Sequence, residues 1–168
     1  MATPLFGFYE CNFNLGGIQR FFFNDGSQNI DYPLDLNFTN NQVDSINDTL
    51  DWFEITEPDS ITFDEQFIED RAGKYFQLSI DMVIPAISDN NNRFFNAQNI
   101  KNYLKRNVTV VFLDNNDNWY VTGYDTPFEL SNWEINNEDN SYTVALINNT
   151  ISRARLINPQ WVEDNLLT

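Results

Sequence analysis

Carboxylates dominate the chemistry this chain could offer: 25 Asp and Glu stand against nine Lys and Arg, with no histidine and a single cysteine, Cys11. Hydrolysis of a glycosidic bond needs two carboxyl groups facing each other across a cleft at roughly 5 to 10 Å. Adjacent pairs such as Asp64-Glu65 and Glu138-Asp139 supply the residue type but not that arrangement. In so acidic a chain they are expected on turns and surfaces, so no residue is assigned a catalytic role. A serine with a histidine base is impossible here, and neither a nucleophile elbow nor a phosphate-cradling glycine loop occurs. One thiol cannot close an intramolecular disulfide, and without imidazole the usual nitrogen ligand for zinc, copper or iron is missing. No metal and no cofactor is expected.

Two weaker constellations remain. Asp114-x-Asn116-x-Asn118 places oxygen ligands at alternate positions, as in the first half of a calcium loop, but Trp119 stands where that loop needs glycine and Asp125 where a bidentate glutamate is usual. The segment is expected to be a hairpin turn. Trp119, Tyr120, Tyr124 and Trp133 have the residue types of a sugar-stacking platform, although aromatics on strands more often fill a core or an interface.

The elements that must carry these residues are mostly strands. Phe76, Leu78, Ile80, Met82 and Ile84 alternate with Gln77, Ser79, Asp81, Val83 and Pro85, a period of two that puts all five apolar side chains on one sheet face. Val108–Leu113 and Trp119–Tyr124 flank one turn, Phe128–Ile135 and Ser141–Ile147 flank a second, and together they predict two successive hairpins. Ile18–Phe23, Trp52–Thr56, Ile61–Phe63 and Ile151–Ile157 read as further strands, with one more short strand near Leu34–Phe38. Phe94, Ala97, Ile100, Tyr103 and Leu104 fall at helical spacing, which predicts one amphipathic helix over about 93–106 with Lys101, Lys105 and Arg106 near its end. Long loops are expected at about 39–51 and 64–73, and a short tail after Pro159. The expectation is one mostly-β domain over residues 1–168, an antiparallel β-sandwich or open barrel with one flanking α-helix.

Phe21-Phe22-Phe23 must place bulk on both faces of one strand, so the face turned away from the core has to be covered by the helix or by another subunit. A formal charge of −16 disfavours tight DNA binding, which depends on Lys or Arg contacts to phosphate, and disfavours anionic membranes for the same reason. Acidity of this order can serve solubility, or can line a passage through which DNA moves without sticking. Residues 1–9 carry no basic leader with an apolar core, and no run approaches the roughly 20 apolar residues that span a bilayer, so a cytoplasmic product is expected.

Cys11-Asn-Phe-Asn-Leu-Gly-Gly-Ile-Gln-Arg-Phe-Phe-Phe23, the alternating Phe76-to-Ile84 strand and the Val108-to-Tyr124 hairpin together resemble structural proteins of tailed bacteriophages. The resemblance extends over most of the chain and is strongest to ring and tail-tube-like components of crAss-like phages of gut Bacteroidetes. It implies a tail-tube-like β-sandwich flanked by a helix, associating head to tail into a closed homo-oligomeric ring in the tail or neck of the virion. Such a ring would touch adjacent tail or neck proteins, form an acidic channel for DNA passage, bind no DNA sequence and no membrane, and be made in the cytoplasm of a bacterial host. The alternative is a carbohydrate- or receptor-binding β-sandwich of a phage tail. Candidate subunit-interface residues are Phe21 and Phe23 on the aromatic strand, Asp64, Glu65 and Arg71 on the charged excursion, and Lys101, Lys105 and Arg106 as basic partners for a neighbour's acidic surface.

Overall fold

The computed structural model describes residues 17–26, 35–39, 41–46, 51–55, 60–85, 101–136, 138 and 141–167. Eleven strands occur there: β1 (Ile18–Asn24), β2 (Leu36–Thr39), β3 (Gln42–Ile46), β4 (Trp52–Ile55), β5 (Ser60–Asp70), β6 (Gly73–Pro85), β7 (Val110–Asp114), β8 (Trp119–Thr122), β9 (Glu129–Asn136), β10 (Ser141–Thr150) and β11 (Arg155–Leu156). A helix, α1 (Pro159–Leu166), closes the described chain.

The alternation from Phe76 to Ile84 does what period two requires. Leu78, Ile80, Met82 and Ile84 are all at most 1% exposed, while Asp81 between them faces solvent. β6 sits inside a four-stranded antiparallel sheet of order β5-β6-β10-β9, and its apolar face meets a five-stranded sheet of order β11-β8-β7-β1-β4. Phe21, Phe23, Val110 and Phe112 from the second sheet interlock with Phe63, Ile80, Val144 and Leu146 from the first, giving one core between two layers. The expected fold class, a mostly-β antiparallel sandwich, is the one observed.

A second core explains the triple phenylalanine. Phe22 points to the opposite face of β1, where it packs with Val111, Trp119 and Val121 against Val43 and Ile46 of the β2–β3 hairpin and Val162 of α1. The chain therefore covers the far face itself. Val43 and Ile157 form a parallel bridge, and the Asn158 amide donates to the Val43 carbonyl at 2.8 Å, which ties this third layer to the sheet.

Several expectations need correction. The loop at about 39–51 contains β3, since Val43 and Ile46 are buried in the second core; positions 47–50 lie outside the described residues. The loop at about 64–73 is the outer part of a long hairpin in which β5 and β6 pair in continuous register from Ser60↔Val83 to Asp70↔Gly73. Ile151–Ile157 is only briefly a strand, at Arg155–Leu156. The short tail is a helix: the Asn158 side chain accepts from the Gln160 amide at 3.0 Å and Pro159 occupies the first turn, the usual N-terminal signals. Of the predicted helix at about 93–106, Lys101–Tyr103 are helical and a turn follows; 93–100 lie outside the described residues, as do Cys11 and its neighbours to position 16.

Backbone crossings fix how the end of that predicted helix is held. At Gly26 an added Cβ would lie 2.1 Å from the Arg106 carbonyl oxygen and 2.3 Å from that of Tyr103, so only glycine admits this approach. Leu104 is fully buried, and Tyr103 stacks on Phe53 with ring centroids 4.8 Å apart.

Candidate functional site

Alternation along the four-stranded sheet sends one set of side chains into the core and leaves the other to solvent. The solvent face carries Asp64 and Asp70 from β5, Asp81 from β6, and Glu129 and Glu134 from β9, all exposed. Ser, Thr, Asn and Gln fill most of the rest, as at Thr62, Gln77 and Asn149. Among the described residues of that face there is no lysine or arginine. Neither α1 nor the β2–β3 hairpin covers it, because both pack on the other sheet.

The sheet is staggered at one end. β6 pairs with β10 only from Phe76↔Thr150 onward, whereas its pairing with β5 continues to Asp70↔Gly73. The end of the β5–β6 hairpin thus projects as a two-stranded ribbon with both faces accessible, and Phe67 on it is 53% exposed. Its two-residue tip is held by the Asp70 carboxylate, which accepts from the Ala72 amide at 2.7 Å. An open cleft of about 520 Å³ runs along one side of the ribbon, from Asp70 and Ala72 at its tip past Tyr75 to Thr126 and the Thr150–Ile151 corner.

The candidate interface residues divide. Phe21 and Phe23 are 0% exposed in the inter-sheet core, which puts them out of a partner's reach. The Glu65 side chain is only 4% exposed: it holds Arg153 at 2.5 Å and accepts from the Ala154 amide at 3.2 Å, so it clamps the corner between β10 and β11. A continuing core parity, which turns Glu65 inward beside Phe63, makes it an internal residue. Asp64, Arg71, Lys101, Lys105 and Arg106 are exposed, the first two on the hairpin and the last three beside β9, where the Lys105 carbonyl accepts from the Leu130 amide.

The weaker constellations resolve as structure. Asp114 spends its carboxylate on its own turn, with Oδ1 accepting from the Asn116 amide at 2.7 Å and the Asn118 amide at 2.9 Å. Trp119 lies in the second core, while Tyr120, its neighbour on β8, stacks on Phe112 on the opposite face, and Trp133 packs on Tyr142 in the other sheet. These aromatics form no common platform. Among the described residues no three Asp, Glu, His or Cys side chains gather closely enough to hold a metal ion.

Tyr124 is the buried titratable group that reports on the corner. Its hydroxyl donates to the Arg153 carbonyl at 3.0 Å, and burial raises its pKa above the ordinary 10.0, partly offset by the nearby Arg155 guanidinium. A raised phenol keeps its proton longer when folded than when unfolded. Its contribution is therefore complete below about pH 10 and is lost as pH rises through the folded value. Stability should fall above pH 10 in urea titrations, and Tyr124→Phe should flatten that fall while costing about 0.5–1.5 kcal/mol at neutral pH for the lost hydrogen bond.

No family model, curated protein or solved structure matches this chain.

Proposed function

We propose that the chain is a non-catalytic structural protein of a phage virion, assembling into a ring in the tail or neck whose acidic channel lets DNA pass. The observation that carries this reading is the solvent face of the four-stranded sheet, a broad surface with five carboxylates and no cation among its described residues. Tight DNA binding draws its free energy from cations that displace counterions from phosphate. A surface without them repels the duplex instead of holding it, which is what a conduit requires. Among the described residues nothing packs on that face, while both faces of the other sheet are enclosed, so the four-stranded sheet is offered to line a lumen.

The test is stoichiometry. Light scattering of the purified chain, alone and seeded with disrupted phage tails or necks, should give a closed oligomer of fixed order, and mass spectrometry should recover the chain from intact particles. A monomer under every condition, absent from particles, would end the proposal.

A further inference from the structure

The cleft along the β5–β6 ribbon opens because β10 leaves β6 at Thr150 while β6 continues to Gly73. Its volume, about 520 Å³, lies within the roughly 300–1,000 Å³ usual for small-ligand sites. One side is braced from within. The Asp125 carboxylate accepts from the Thr126 amide and the Thr150 hydroxyl, each at 2.8 Å, and the Asn148 amide donates to the Thr126 carbonyl. On the ribbon side Asp70 accepts from the Ala72 amide at 2.7 Å and from the Tyr75 hydroxyl at 3.3 Å. Groups held in this way lose little freedom when a ligand arrives.

The lining discriminates between ligand charges. An anion is disfavoured, because Asp70 lines the cleft and no lysine or arginine does. A cation gains little either: the ribbon end sets Glu69 and Asp70 against Arg71 and Lys74, and Glu69 already pairs with Lys74 at 3.4 Å. What remains is neutral hydrogen bonding beside apolar surface. Asp70 keeps lone pairs beyond the two it uses, and Asn149 accepts from Gln77 with its oxygen, which leaves its amide donors. The Thr126 hydroxyl makes no hydrogen bond among the described residues. Ile151, 80% exposed, and the Tyr75 ring supply the apolar part, and no other aromatic ring packs on Tyr75 among the described residues.

A pyranose has this combination, with hydroxyls around its rim and C–H groups on a face that packs on an aromatic ring. An extended peptide fits less well, since the edge of β6 that β10 leaves unpaired is only Gly73–Tyr75, room for about one pair of main-chain hydrogen bonds. We infer that this cleft binds a neutral oligosaccharide, with Tyr75 against the sugar face and Asp70, Thr126 and Asn149 bonded to its hydroxyls. The site stands apart from the proposed ring: Tyr75 is six residues, or about 20 Å, from Asp81 along β6, and a single copy suffices.

Nuclear magnetic resonance of the isolated chain, titrated with neutral tetrasaccharides of glucose, mannose, galactose and xylose, tests the site. At least one should shift the amides of Tyr75, Thr126, Asn149 and Ile151 saturably at millimolar concentration. Tyr75→Ala should weaken that sugar about tenfold and Asn149→Ala about fivefold, whereas Tyr75→Phe, which keeps the ring, should weaken it less than about threefold. No saturable shift with any of the four, a response mapped to other residues, or binding unchanged by Tyr75→Ala would overturn the site. Tighter binding of tetralysine or of an uncharged tetrapeptide than of every sugar would overturn the ligand class. All of these are read on single copies, so their failure leaves the ring standing, and a chain that never assembles leaves the sugar site standing.

Discussion

Replacing Phe22 by Ala in the isolated chain should cost about 3–5 kcal/mol, as much as replacing Phe112. The two residues lie on opposite faces of the same sheet, and Phe112 is the uncontroversial one: 0% exposed, packed on Phe63 at 5.2 Å and stacked on Tyr120 at 5.4 Å. Phe22 is the informative one. It is 2% exposed because Val43, Ile46 and Val162 of the same chain close over it beside Trp119. If a neighbouring subunit supplied that cover instead, the substitution would cost under about 1 kcal/mol in the monomer and show its effect only on assembly. Urea unfolding of dilute protein separates the cases. For a chain of this length a loss of 3–5 kcal/mol corresponds to a drop in melting temperature of roughly 6–20 °C.

The second large effect concerns DNA. Asp81→Lys, Glu129→Lys and Glu134→Lys together change the charge by six, from −16 to −10, on a face whose register places the three residues close together. Asp81 aligns with Asn132 across Ala145, and Glu134 and Glu129 flank that row at Thr143 and Ile147, within about 7 Å along the strands in either direction. Being exposed strand positions, they should alter stability by no more than about 0.5 kcal/mol each. Three lysines against phosphate give a slope of log affinity on log salt of about −2.7, hence a loss of about 40-fold between 50 and 200 mM salt. Fluorescence anisotropy with a labelled duplex should show no saturable binding by the natural chain and salt-steep binding by the triple variant. Equal binding by both would show that the carboxylates are not what keeps DNA off this face.

Alternation was visible in the sequence wherever a strand has one dry and one wet face, which is why β6, the β7–β8 hairpin and the β9–β10 hairpin were legible. It fails at the hairpin end. From about Gln66 to Lys74 both faces are wet, so no apolar period is imposed, and what reads as a charged loop is a regular ribbon in unbroken register. β3 was hidden for a related reason: in an asparagine-rich stretch only Val43 and Ile46 mark the buried side. The start of α1 was written in Asn158-Pro159, but proline there also reads as a terminator, and the eight residues of the helix, Pro159–Leu166, include a single buried one, Val162.

The candidate surfaces were less legible than the fold. Phe21-Phe22-Phe23 correctly demanded cover on two faces, yet nothing local says that a hairpin some twenty residues on and a helix at the end of the chain provide it. Glu65 looks from sequence like its neighbour Asp64, and only the strand's parity separates the inward clamp on Arg153 from the outward carboxylate. The cation-free character of the sheet face depends on which residues share it across four strands, information that pairing register supplies and spacing along one strand does not.

Cryo-electron microscopy of the purified assembly, or of particles containing it, is the most direct measurement. Rotationally symmetric rings are expected, with Asp81, Glu129 and Glu134 of every copy turned toward an open lumen. Rings in which the four-stranded sheet faces outward, or a chain that stays single, would contradict the acidic conduit.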